Sequence, residues 1–165
     1  MAVLRVMAVA LVACSAASAE PGAPPGPASS THPAGWQALP AIASAVATAA
    51  AGDGAVIDAV DAWGEPAMGC YAVWLELHGG TADAPALADQ VMRGLPATPA
   101  FAASEVVMPA SLTGVLAFAF SAPPFHGHVR AQLGAGRIAA RTCFATAREP
   151  IACNAACARV LQGVP

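Results

Sequence analysis

Three groups of residues have the types and spacings that chemistry requires. Cys153 and Cys157 form a C-x3-C pair, and two further cysteines, Cys70 and Cys143, precede them. His126-Gly127-His128 places two imidazoles two residues apart, which on a strand puts both on one face. Arg130, Arg137 and Arg141 follow at spacings that turn them outward on neighbouring strands. These groups suggest, in turn, disulfide or thiol chemistry, metal ligation, and anion or partner binding.

The cysteines favour structural disulfides. On a helix, residues four apart share a face and their Cβ vectors run nearly parallel, a poor arrangement for bonding one another. Each of Cys153 and Cys157 is therefore expected to reach a separate partner. Four cysteines allow three connectivities. The expected pairing is Cys143–Cys153, closing a strand-to-helix corner, with Cys70–Cys157 tying the helix to the first strand. A thiol oxidoreductase would prefer the C-x-x-C spacing, and zinc would prefer a paired C-x2-C set, and the chain has neither.

The His-x-His pair supplies two nitrogen ligands. A metal-dependent hydrolase would add His78 or Glu76 as a third ligand from a neighbouring strand. The plainer reading makes His126 and His128 solvated residues on the polar side of a hairpin. Arg130, Arg137 and Arg141, with Trp74, define a possible anion or partner patch. Charge separates along the chain: Glu20 to Glu105 carries nine acids and one arginine, and Val106 to Pro165 five arginines and one acid. Pairing between these halves is the preferred use of the arginines. An acidic balance, −3 overall, disfavours nucleic acid as a partner.

Several enzyme classes are excluded. All seven basic residues are arginine, so there is no Walker A lysine, no Schiff-base lysine and no S-x-x-K acylating pair. No G-x-S-x-G elbow occurs. Gly134-x-Gly136-x-x-Ala139 matches a dinucleotide fingerprint in letters only, because a strand rather than a helix follows it. Glu65 and Glu76 have nothing that would fix their separation as a carboxylate pair. No residue is assigned a catalytic role, and no cofactor is implied.

The elements that hold these groups begin after a leader. Arg5 and the apolar run Val6–Ala13 precede Ala17-Ser18-Ala19, the pattern of a signal peptide cleaved before Glu20. Leu11-Val12-Ala13-Cys14 resembles the lipobox of bacterial lipoproteins, which implies lipidation of Cys14 and a membrane contact through that anchor alone. Both routes are open, giving a leader of residues 1–19 or 1–13. Residues 20–35 are rich in Pro, Ala, Ser and Gly, the composition of a disordered tether. Such a tether suits an anchored domain. Either route leaves four cysteines, an even number, in an oxidising compartment.

Residues 36–165 make one domain. The chain is 57% hydrophobic and 10% charged with a mean hydropathy of +0.59, but alanine supplies much of that and no apolar run is long enough to span a bilayer. Leu39, Ile42, Val46 and Ala49 or Ala50 share a helical face. Asp53 is placed as the cap of a second short helix through Val56, Ile57 and Val60, with a loop at Trp63-Gly64-Glu65-Pro66. Met68–His78 alternates with period two, the clearest strand. Asp83 caps a helix carrying Leu87, Val91 and Leu95. Strands at 104–107, 113–121, 126–133 and 137–144 follow, and a helix from Pro150 to Gln162 ends the chain. The expectation is an α+β fold: an antiparallel meander of four or five strands with helices on one face, stapled by disulfides. As a whole the sequence reads as an exported envelope or secreted module that binds a protein or envelope partner or supports structure.

Overall fold

The computed structural model describes residues 33–52, 56–78, 83–95, 100–146 and 150–163. The leader, Cys14, most of the tether and Asp53 lie outside them. In chain order the elements are β1 (Gln37–Ala38), α1 (Pro40–Gly52), β2 (Val56–Glu65), β3 (Cys70–His78), α2 (Ala84–Gly94), β4 (Ala102–Val107), β5 (Thr113–Ala122), β6 (Phe125–Gly134), β7 (Arg137–Thr146) and α3 (Pro150–Gln162). One seven-stranded sheet runs β1-β2-β3-β7-β6-β5-β4, antiparallel throughout. The meander β4–β7 therefore joins the earlier hairpin β2–β3 through the β3–β7 pairing.

The α+β class and the antiparallel meander stand, but the strand number rises to seven. The two additional strands are β1 and β2, and β2 replaces the expected second short helix. Its misleading feature is a bulge between Ile57 and Ala59. A bulge adds one residue to a strand and displaces the alternation by one. Ile57 and Val60, three apart, consequently face the same core, where Leu77 and Leu75 oppose them. Three-residue spacing is also helical spacing, and only the sheet partner separates the two readings. Trp63-Gly64-Glu65 is the end of this strand, with the turn at 66–69. A side chain at Gly64 would collide with the Cys70 carbonyl oxygen and crowd Leu39 and Tyr71.

The larger core lies on the first sheet face. Tyr71, Val73, Leu75 and Leu77 of β3 meet Ile42, Val46 and Ala50 of α1 and Leu87, Val91 and Leu95 in and after α2. The α2 start follows the sequence reading: the Asp83 side chain accepts a hydrogen bond from the Ala86 N–H at 3.0 Å. Aromatic rings fill one end of this core. Tyr71 stacks on Phe144 with centroids 5.5 Å apart, and Phe125 meets Phe144 edge-on at 5.7 Å.

The helices do not all share that face. Cys70 and Ala72 of β3 and Cys143 and Ala145 of β7 point the other way and pack with Cys153, Ala156, Cys157 and Val160 of α3. Trp36 and Trp63 are buried in this second cluster, and Trp74 is partly buried against it. The sheet is therefore sandwiched, α1 and α2 on one side and α3 on the other. The physical reason is the cysteine pattern: Cys70 and Cys143 alternate out of phase with Tyr71 and Phe144, so a helix bonded to them must lie opposite the aromatic core.

The β6–β7 turn uses Ala135 and Gly136, with φ +50° and +70°. Two positive φ values in a two-residue loop match the right-handed twist of the flanking strands. Phe144 is 1% exposed and sits where three aromatic contacts converge. Phe144→Ala is expected to cost about 3–5 kcal/mol, the range for removing a buried phenylalanine. Urea denaturation of the oxidised protein measures this.

Candidate functional site

Cys14 lies outside the described residues, and Cys153 and Cys157 sit on α3; the other residues singled out for chemistry lie on the second sheet face, where cross-strand register sorts them into rows. The first row is Cys70–Ala145–His126, the next Ala72–Cys143–His128, and the third Trp74–Arg141–Arg130. Glu76–Ala139–Gln132 follows, and His78–Arg137–Gly134 ends the face.

Both disulfides occupy the first two rows. Cys70 bonds Cys153 and Cys143 bonds Cys157, with Cα separations of 5.6 and 5.3 Å. The inference that Cys153 and Cys157 take separate partners is correct, but the partners are exchanged. The chain explains this. It leaves β7 at Thr146 and returns as α3, antiparallel to β7, so Cys153 arrives level with Ala145 and its neighbour Cys70. Cys157 arrives one row later, level with Cys143. Four helix residues rise about 6 Å and two strand residues about 6.6 Å, so helix and strand stay in step. All four sulfur-bearing residues are buried, from 0 to 9% exposed. Thiol exchange needs a sulfur that an attacking thiolate can reach.

Arg141 continues the series one row on. It is only 8% exposed, and its Nη1 donates a 3.2 Å hydrogen bond to the Val160 carbonyl near the end of α3. A helix C-terminus presents unpaired carbonyls and partial negative charge, so a guanidinium is a suitable cap. Burial pushes the Arg141 pKa below its ordinary value, while Glu76 acts in the opposite direction.

The remaining arginines serve separately. Arg137 Nη2 lies 3.6 Å from Asp58 Oδ2, and the other oxygen of Asp58 is 2.6 Å from His78 Nδ1. The hydrogen bond from His78 holds the Asp58 carboxyl below the usual carboxylate range, with charge from His78 and Arg137 adding to it. The Arg137–Asp58 pair is the expected pairing of the basic and acidic halves. Arg130 stays exposed beside Arg141. Trp74, between Asp61 and Arg141 in its row, is half-buried. Burial raises the carboxyl pKa of Asp61. The arginines thus do different work: one caps a helix, one pairs with an acid and one faces solvent.

His126, His128, Glu76 and His78 share the face but do not converge. His128 and Glu76 lie two strands and four residues of register apart, about 16 Å from strand spacing and rise. His78 is farther. Among the described residues, no group of three or more His, Cys, Asp or Glu side chains is placed to hold a metal ion. Glu76, Gln132 and Arg137 instead line an open depression of about 320 Å³ with Asp58, Thr113 and Gly134. Sequence reasoning missed Asp58 and the helix-capping role of Arg141. The bulge hides the first, and no local pattern signals the second. The chain matches no family model, no curated protein and no solved structure.

The Cys70–Cys153 bridge spans 83 residues and Cys143–Cys157 spans 14. In the loop-entropy relation these lengths correspond to about 4.5 and about 3 kcal/mol. Cys70→Ala/Cys153→Ala should therefore destabilise more than Cys143→Ala/Cys157→Ala in urea titrations followed by tryptophan emission. That signal is apt because all three tryptophans belong to or pack against the α3 cluster.

The two aspartates should respond to pH in opposite directions. The folded pKa of Asp58 lies below its ordinary 3.8, so its contribution is present above that value and lost as pH falls through the folded one. The folded pKa of Asp61 lies above 3.8, so its cost is absent in acid and appears as pH rises through the folded one. At pH 7, Asp58→Asn should lower Tm and Asp61→Asn should raise it. Both differences should shrink at pH 3 in calorimetric melts.

Proposed function

We propose that this chain is an exported envelope or secreted module that works by binding or structural support rather than by catalysis. The observation that carries the reading is the pair of buried disulfides fastening α3 to the sheet. Disulfides form and persist in oxidising compartments. Among the described residues, no helix is long and apolar enough to cross a membrane. Attachment, where it occurs, would use a lipidated Cys14, and release would follow cleavage after Ala19. Residues 20–35 would then stand the domain off from the membrane surface or trail from a free protein.

The binding surface proposed is the part of the second face beyond α3. There His126, His128 and Arg130 are exposed, while Ala117, Ala119 and Ser121 on β5 are half-buried. Small residues beside exposed polar ones give a flat, hydrated surface on a rigid interior strand, suited to a protein or envelope partner. The hydrolase alternative loses its support because His78 and Glu76 lie far from the histidine pair. The thiol-oxidoreductase alternative loses its support because Cys153 and Cys157 bond different partners.

Intact mass and thiol alkylation of the native protein test the reading. The expected result is a chain beginning at acylated Cys14 or at Glu20, recovered outside the cytoplasm, with no alkylation of Cys70, Cys143, Cys153 or Cys157 before reduction. A cytosolic chain retaining Met1 with four reactive thiols would overturn it.

A further inference from the structure

We propose that His126 and His128 form a two-nitrogen chelate for a divalent transition-metal ion of the zinc, copper or nickel class on the exposed face of β6. The inference does not depend on how the chain is exported, and it concerns two residues of the surface proposed above for partner binding. Both residues are exposed, and both project from the same side of a strand paired on each edge, by β5 and by β7. The spacing of their Cα atoms is therefore fixed at about 6.7 Å by strand rise. A first-row ion with metal–nitrogen distances of 2.0–2.1 Å needs its two nitrogens about 3 Å apart. Each ring has to lean inward by roughly 2 Å, a small displacement for a side chain with two torsions.

The surroundings leave the rings available. Neither imidazole makes a hydrogen bond or ion pair with the described residues. Their cross-strand neighbours are Ser121 and Ala119 on β5, and Ala145 and the disulfide-bonded Cys143 on β7. None carries a charge that would hold an imidazolium in place of a metal. Gly127 keeps the platform rigid: a side chain there would run into the Cys143 carbonyl oxygen and lie 2.5 Å from Phe144 Cβ, so β6 sits tight on β7. Neutral imidazole binds the later first-row divalent ions in preference to magnesium or calcium. Two ligands leave coordination positions for water, and Arg130, one row along the same face, favours an anion in one of them.

The test is calorimetric titration of zinc ion alone into the untagged, oxidised chain. One zinc per chain is expected. His126→Ala and His128→Ala should each weaken binding by about tenfold or more, ~1.4 kcal/mol at tenfold, and the double variant should abolish it. His78→Ala should bind as the parent does. In NMR spectra of the parent, zinc should shift the ring protons of His126 and His128 and leave those of His78, a readout that needs no variant to fold. A parent chain that takes up no zinc, a double variant that binds like the parent, or binding lost in His78→Ala would each overturn the assignment.

Discussion

The agreement in step between a helix and a strand organises the second half of this molecule. Four residues of α3 and two of β7 advance by almost the same distance, so three links can form in succession along one line: Cys70–Cys153, Cys143–Cys157, and Arg141 to the Val160 carbonyl. Two are covalent and the third is a charge-assisted hydrogen bond at the place where a helix most needs a donor. A one-residue slip of α3 would turn both sulfurs away from their partners. The same line decides which half of the face is covered and which half, with His126, His128 and Arg130, remains open.

Where the sequence carried a local physical signal, the fold was legible. The alternation of Met68–His78, the Asp83 cap and the Gly-rich β6–β7 turn each rest on chemistry contained within a few residues; the cap and the turn are found as read, and the strand is found from Cys70, two residues later. Where a signal depended on a partner distant in sequence, it was not. Ile57 and Val60 have helical spacing because a bulge opposite Leu75 and Leu77 displaces the alternation. The placement of α3 on the far face follows from the phase of Cys70 and Cys143 relative to Tyr71 and Phe144. That phase is present in the letters, but it acquires meaning only when β3 and β7 are known to be neighbours.

The chemistry divides in the same way. The prohibition on a Cys153–Cys157 bond followed from helix geometry and holds, whereas the choice of partner needed the direction in which α3 returns across the sheet. Three outward arginines looked alike in sequence. Burial separates them: Arg141 is enclosed beneath the end of a helix, Arg137 sits beside Asp58, and Arg130 faces water. Residue type and spacing specify what a side chain can do, and the neighbour it meets decides which of those things it does.

Helix α3 supplies one sulfur to each bridge. Without these thirteen residues Cys70 and Cys143 would lack their sulfur partners, and the tryptophan-lined cluster would lose one wall. Closing this layer covalently takes an electron acceptor, because each bridge forms from two thiols with the loss of two electrons and two protons. The two faces of the sheet therefore differ in kind: one is closed by packing alone, and the other is sealed by an oxidation.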